Sequence, residues 1–349
     1  MESKAEMYIV AGDISVSGRF LVLCTSNKLV SLWDAVSWTL LSNRVSARVA
    51  SKVKFVPSEE AIVLADKSGD AYEFSVKCPH LEGKLLLGHL SMLLDILVTP
   101  NGRHIITCDR DEKIRVSCYP NSYNIKTYCL GHTEFVTNIF LLPHDESVLV
   151  STSGDGTMRL WDYETGVQVY KIESNEDSTV YNDIIDEDQV EDNCALPVRL
   201  ATSCIINSEL SVLCCCLSKT LGCVIYKING IKGNISHKLI QVIKLQAEPW
   251  DIICFDEYLW IIGPFQIKSL LVFTWDNKTS QFVEVVEKEI LSVVEQVNGR
   301  EDMFKNAVVS NELTLLYKRR FDNVQEYQKR KKQRLLGGLD STETKMFSK

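Results

Sequence analysis

HIITCDRDEKIRVS (residues 104–117) and SVLVSTSGDGTMRLWD (147–162), with GHTEFV (131–136) between them, are two copies of one unit. Each copy reads as a strand, a tight polar turn and a second strand, and each follows a Gly-His pair, Gly88-His89 or Gly131-His132. Trp161 closes the second copy, and its counterparts upstream are Ser117, Ser75 and Trp33, at spacings of 44, 42 and 42 residues. The two Gly-His pairs, 43 residues apart, give the same period independently.

A unit of about 40–45 residues ending in Trp-Asp is the WD repeat, one four-stranded propeller blade per copy. Past Trp161 the signature fades while the strand pattern persists. CVIYKI (223–228), SLLVFTW (269–275) and LTLLYK (313–318) fall where three further blades need a strand. The expectation is an all-β, seven-bladed WD-repeat β-propeller over residues 1–320, its ring closed by Met7–Val10 pairing with the last blade.

Only the fourth blade carries the full polar signature. His132, Ser151, Asp155 and Trp161 have the spacing of a hydrogen-bond network that fixes strand register, since each buried polar group needs a partner. In the third blade His89, Thr107 and Asp111 can form most of it, with Ser117 in place of the Trp. These residues are therefore read as structural.

Composition agrees with a closed β unit. Hydrophobic residues make up 45% of 349, enough for a core, and 17 Gly with 8 Pro argue against low complexity. No apolar run is long enough to span a membrane, and the N-terminal residues do not read as a secretory signal. Twelve cysteines without regular spacing read as buried and reduced, not as a disulfide framework or zinc site. That usage points to the nucleus or cytosol.

The net charge of −8 is unevenly spread. ESNEDSTVYNDIIDEDQVED (173–192) reads as an acidic, solvated, mobile loop between blades four and five. The opposite pole is LYKRRFDNVQEYQKRKKQRLLGG (316–338), with Lys318, Arg319, Arg320, Lys329, Arg330, Lys331, Lys332 and Arg334. A helix is expected over 321–337, started at Asp322 or Asn323, ended by Gly337-Gly338, and followed by a flexible tail over 338–349. Phe321, Val324, Tyr327 and Leu335 give it a partial apolar stripe. Its basic run suits phosphate contact with RNA and suits nuclear import equally well. Catalytic motifs are missing: the Gly-rich run Ser153-Gly154-Asp155-Gly156 joins two strands, and no P-loop, G-x-S-x-G or H-E-x-x-H occurs.

LGHLSMLLDILVTPNGRHIITCDRDEKIRVS (87–117), CLGHTEFVTNIF (129–140), SGDGTMRLW (153–161) and LYKRRFDNVQEYQKRKKQRL (316–335) resemble one family. It is the WD-repeat, non-catalytic subunit of eukaryotic tRNA (guanine-N(7)-)-methyltransferase, known as Wuho in insects. The resemblance is strong over 60–162 and again over 313–336. It implies a scaffold that binds and stabilises a separate catalytic subunit as a heterodimer for 7-methylguanosine formation in the tRNA variable loop. It also implies that the partner, and not this chain, holds S-adenosylmethionine. On this reading Arg159, with Arg115 at the same strand position, and the charged turn Asp109, Arg110, Glu112 and Lys113 face the partner. Arg159 would meet a partner carboxylate, the basic segment would contact tRNA, and the complex would be nuclear, with the cytoplasm as a second location. The alternative is a general interaction scaffold, such as a ubiquitin-ligase substrate receptor or a chromatin adaptor.

Overall fold

Strand alternation sets the blade cores. In Phe20–Thr25 (FLVLCT), Val22 and Cys24 are fully buried, while Leu21 and Leu23 point to the other face and are only half-buried. The computed structural model describes residues 7–174, 184, 196–266, 268–300, 313–318 and 331.

Among these residues the strands form six antiparallel four-stranded sheets, each from consecutive strands. The first holds β1 (Ile9–Ile14), β2 (Phe20–Thr25), β3 (Leu29–Asp34) and β4 (Thr39–Val45). The second holds β5 (Ala50–Phe55), β6 (Ala61–Asp66), β7 (Asp70–Ser75) and β8 (Lys84–Gly88). The third holds β9 (Leu93–Val98), β10 (His104–Asp109), β11 (Ile114–Cys118) and β12 (Ile125–Cys129). The fourth holds β13 (Val136–Leu142), β14 (Asp145–Ser153), β15 (Thr157–Asp162) and β16 (Val167–Glu173). The fifth holds β17 (Val198–Asn207), β18 (Leu210–Leu217), β19 (Gly222–Asn229) and β20 (Ser236–Lys244). The sixth holds β21 (Asp251–Phe255), β22 (Tyr258–Ile262), β23 (Leu270–Asp276) and β24 (Gln281–Glu284).

The repeat markers fall at one register position. Trp33 pairs with Leu21, Ser75 with Ala61, Ser117 with Ile105 and Trp161 with Leu149, always third strand against second. The cores lie between neighbouring sheets. Val22, Val30 and Leu32 meet Val53, Ile62 and Phe74, and Ile106 and Val116 meet Leu149 and Trp161. Each buried aliphatic side chain contributes about 1.5–3 kcal/mol, so every blade is stabilised by the next. On the sixth sheet the far face is covered by helix α1 (Lys288–Asn298), through Ile290, Leu291, Val294 and Val297. Asn298 clamps the helix end: its Oδ1 accepts the Leu270 N–H at 2.9 Å and its Nδ2 donates to the Leu270 carbonyl at 3.2 Å.

First strands of successive sheets pack side by side, β1 on β5 and onward to β17 on β21. Side chains bridge these inner strands. The Phe55 N–H donates to Asp13 Oδ2 (2.8 Å), the Ile139 N–H to Asp95 Oδ2 (3.0 Å) and the Cys254 N–H to Thr202 Oγ1 (3.0 Å). The Thr137 hydroxyl donates to the Val198 carbonyl at 2.8 Å. Lys54 pairs with Asp13 at 2.9 Å, and the charges of Asp95, then Asp251 and Asp13, push the Lys52 ammonium's pKa up against its burial.

Several expectations are corrected. Ile9–Ile14 pairs with Phe20–Thr25 inside the first sheet and, among the described residues, with no strand of another sheet. LTLLYK supplies no strand: Leu313–Leu316 is a single helical turn, α2. The other residues on which a seventh blade would draw lie mostly outside the described ones. The acidic segment is not wholly solvated, since Ile184 is buried against Val198, Leu213 and Val224, and its carbonyl accepts the Leu221 N–H at 2.7 Å. The rest of that segment, the basic helix over 321–337 except Lys331, and the tail over 338–349 lie outside the described residues. By compactness the chain divides into units 1–313 and 314–349.

Asp95 generates the first prediction. Its buried carboxylate accepts two backbone N–H groups, from Ile96 and Ile139. Asp95→Ala is expected to lower unfolding stability by about 2–3 kcal/mol in urea titrations, as loss of charged hydrogen bonds in a buried site does. A change under about 0.5 kcal/mol, typical of a surface site, would contradict this role.

Candidate partner-binding surface

In the fourth blade the structure brings together all four signature residues in one directed chain. Trp161 Nε1–H donates to Ser151 Oγ (2.8 Å), the Ser151 hydroxyl donates to His132 Nε2 (2.8 Å), and His132 Nδ1–H donates to Asp155 Oδ2 (3.0 Å). Only a neutral imidazole protonated at Nδ1 satisfies this order. Burial pushes the His132 pKa down, in keeping with the neutral ring. Burial alone would raise the Asp155 carboxyl, but hydrogen bonds from His132, Thr157 and the Thr133 N–H hold it well below the ordinary carboxylate range.

A serine, a neutral histidine and a carboxylate in this order have the connectivity of a hydrolytic triad. Access is what differs. Ser151 is 0% exposed and its oxygen already accepts the Trp161 indole, so no substrate reaches it. The chain braces the blade.

The third blade differs from expectation. His89 Nε2 accepts from Thr107 Oγ1 (2.9 Å), but Nδ1–H donates to Asp109, at 2.9 Å, in place of Asp111. Asp109 is the last residue of β10, beside a register shift, and its Oδ1 also accepts the Asp111 N–H (2.8 Å) and the Lys113 N–H (3.0 Å). One carboxylate thus folds the turn and holds the histidine. Glu112, at φ 66°, occupies the left-handed turn position filled by Gly156 (φ 76°) in the fourth blade.

This geometry also removes two residues from the expected partner surface. Asp109 is 1% exposed and fully engaged. Arg115 is buried, donating Nε to Ser117 Oγ (3.0 Å), Nη1 to the Gly88 carbonyl (3.0 Å) and Nη2 to the Ser122 carbonyl (3.2 Å). In a blade whose Trp position holds Ser117, this guanidinium donates to that serine and to two backbone carbonyls. The charges that the turn does present are Arg110 and Glu112, both half-buried, and the exposed Lys113, whose Nζ donates to the Asp111 carbonyl at 3.2 Å.

Arg159 lies on β15 with its side chain 13% exposed. Its Nε donates to Thr157 Oγ1 (3.1 Å) and its Nη1 to Gln168 Oε1 (2.8 Å), while Nη2 stands 3.9 Å from Asp155. Gly131 makes room for it, for a Cβ there would come within 2.5 Å of Nη1. The Gly of the Gly-His pair is thus a close-approach residue.

Of the expected RNA-contacting residues, Lys318 and Lys331 are described, the latter helical and exposed. Arg319, Arg320, Lys329, Arg330, Lys332 and Arg334 lie outside the described residues. The sequence reading missed the inner-wall set Asp13, Lys52, Asp95 and Asp251. Its signal was polar residues interrupting the first strand of otherwise apolar repeats.

Residues 75–262 match the family described as tRNA methyltransferase TRM82 WD40 domain. The chain is 36% identical over 326 residues to the human tRNA (guanine-N(7)-)-methyltransferase non-catalytic subunit WDR4, covering 92% of this chain and 76% of that protein. It is 34% identical over 304 residues to the non-catalytic subunit wuho of Drosophila mojavensis, covering 85% of this chain and 72% of that one. Among solved structures, the Cps50 (Swd1) β-propeller domain of Myceliophthora superposes with a TM-score of 0.57 at 13% identity, over 73% of this chain and 79% of that chain. The last likeness concerns the fold alone: an all-β propeller.

The exchange of roles in the third blade is testable. Asp109→Ala should cost about 2–3 kcal/mol, because it leaves His89 and two turn N–H groups without their acceptor. Asp111→Ala should cost less than half as much. Paired thermal or urea unfolding of the two variants decides it, and equal losses would restore Asp111 to the structural role.

Proposed function

Since this chain belongs to the family of tRNA (guanine-N(7)-)-methyltransferase non-catalytic subunits, we propose that it binds a separate catalytic subunit as a heterodimer. In that complex it holds the partner in the form that methylates guanine N7 in the variable loop of tRNA. The chain is not itself catalytic. The methyl donor S-adenosylmethionine belongs to the partner in this reading, and the complex works in the nucleus.

The observation that carries the proposal is the sustained identity to non-catalytic subunits over most of the chain. The geometry supports it. Asp109 and His89 fix the backbone of a turn that carries the half-buried Arg110 and Glu112 and the exposed Lys113, so these charges have little backbone freedom to lose on binding. Arg159 is similarly pre-positioned. Two of its five N–H donors are used within 3.1 Å, and the rest suit a carboxylate arriving at the blade edge. RNA contact falls to the basic segment from Lys318 to Arg334, which is the one concentration of positive charge in an acidic chain. A run of consecutive arginines and lysines suits phosphates and not base edges, so in this reading guanine choice rests with the partner.

Arg159→Leu should weaken assembly with the catalytic subunit by about 2–5 kcal/mol, as for an interface ion pair cut at one end, while the isolated propeller stays folded. Calorimetric titration reads this directly, and wild-type affinity would remove Arg159 from the interface. Replacing Lys329, Arg330, Lys331, Lys332 and Arg334 by Ala should raise the Kd of the assembled complex for tRNA. It should also flatten the salt dependence by up to about 0.9 per lost phosphate contact. Unaltered affinity and slope would make the run a nuclear import signal.

A further inference from the structure

Five thiols crowd the seam between the fifth and sixth sheets. Cys204 comes from β17, Cys214 and Cys216 from β18, Cys223 from β19, and Cys254 from β21. All five are free thiols. Elsewhere the described cysteines behave as small apolar residues: burial pushes the Cys24 and Cys129 thiols up to about 12. The seam is different because its sulfurs meet across a blade boundary. Cys254 Sγ lies 3.8 Å from Cys214 Sγ, at a sequence separation of 40. The Cys254 backbone is held by its N–H bond to Thr202 Oγ1, so this approach is fixed by the inner-strand seam. Cys254 is half-buried, whereas Cys214 is fully buried.

We propose that Cys254 and Cys214 form a hydroperoxide-oxidisable dithiol that cross-links the fifth and sixth blades. The Cys254 thiolate attacks one oxygen of the hydroperoxide ROOH; the S–O bond forms, the O–O bond breaks, and ROH leaves with a proton. Cys254 is now a sulfenic acid, its sulfur oxidised and the peroxide reduced. The Cys214 sulfur then attacks Cys254 Sγ, the S–S bond forms, and the hydroxide leaves as water with the proton from Cys214. In total two thiols and one hydroperoxide give one disulfide, one alcohol and one water. The direction of attack follows from the surroundings. Cys254 is the less buried residue of the two, and hydrogen bonding with Cys204, then Cys214, holds its thiol pKa well below the ordinary value. Burial pushes the Cys214 thiol pKa well above that value, so Cys214 is not the thiol that meets the peroxide first. Bond formation requires the sulfurs to close from 3.8 Å to about 2.05 Å.

This proposal does not depend on the functional reading above. The test is treatment of the reduced full-length protein with hydrogen peroxide, followed by alkylation and non-reducing peptide mapping. Tryptic cleavage leaves Cys204, Cys214, Cys215 and Cys216 on one peptide, 200–219, so fragmentation of the linked pair must identify the bonded sulfur. The expected result is one intramolecular link, Cys214 to Cys254, reversed by dithiothreitol and absent from Cys254→Ser. In Cys214→Ser, dimedone should trap a sulfenic acid at Cys254. Should that variant fail to fold, dimedone added during oxidation of the wild type should label Cys254 and not Cys214. A link through Cys204 or another cysteine, dimedone on Cys214, or no link with peroxide in excess over thiols would overturn the assignment.

Discussion

Among the described residues, the first strand of each sheet has one edge that pairs with no further strand, and successive first strands pack side by side. Buried backbone donors must find acceptors. This chain supplies them from the preceding blade: Asp13 for Phe55, Asp95 for Ile139, Thr202 for Cys254. That constraint sets the rest. It forces polar residues into strands that alternation alone would make apolar, and it fixes how far one blade stands from the next. It also gathers Asp13, Asp95 and Asp251 around Lys52, so that the inner wall is held by charge as well as by packing. The turns on the rim inherit their positions from that wall.

The repeat was legible because its markers are locked to one register position. Trp33, Ser75, Ser117 and Trp161 all face the residue at the same point of the second strand, whatever their own chemistry. The fourth-blade chain was legible for a related reason: His132, Ser151, Asp155 and Trp161 are each the only residue of their type at the needed spacing. The third blade was not. Asp109 and Asp111 both satisfy the spacing, and choosing between them requires knowing that Asp109 sits at a register shift where its carboxylate reaches the turn amides. LTLLYK failed for want of length, since a short apolar run does not separate strand from helix. Ile184 was hidden by its setting, one apolar anchor in an acidic run.

The same atoms that would make a nucleophile in an open cleft make a brace here. Ser151, His132 and Asp155 are held by Trp161 at one end and by turn amides at the other, and the site is closed to solvent. A family defined by lacking catalysis thus keeps hydrogen-bond connectivity familiar from enzymes, because what it needs from those groups is rigidity. Arg115 shows how the requirement survives substitution. Where the third blade lacks a Trp, a guanidinium spans Ser117, Gly88 and Ser122 and ties the sheet to the end of β8 and to a loop.

The pairing of Ile9–Ile14 with its own sheet bears on how the chain is made. Each of the six described sheets is built from a continuous stretch of sequence, so its strands meet across short loops and the loop-closure entropy is small. A blade can form as soon as its last strand leaves the ribosome, without waiting for a partner from the far terminus. Each newly finished blade then offers its exposed face to the one still being synthesised. Assembly is thereby vectorial, and the face most exposed to aggregation during translation is always that of the latest blade.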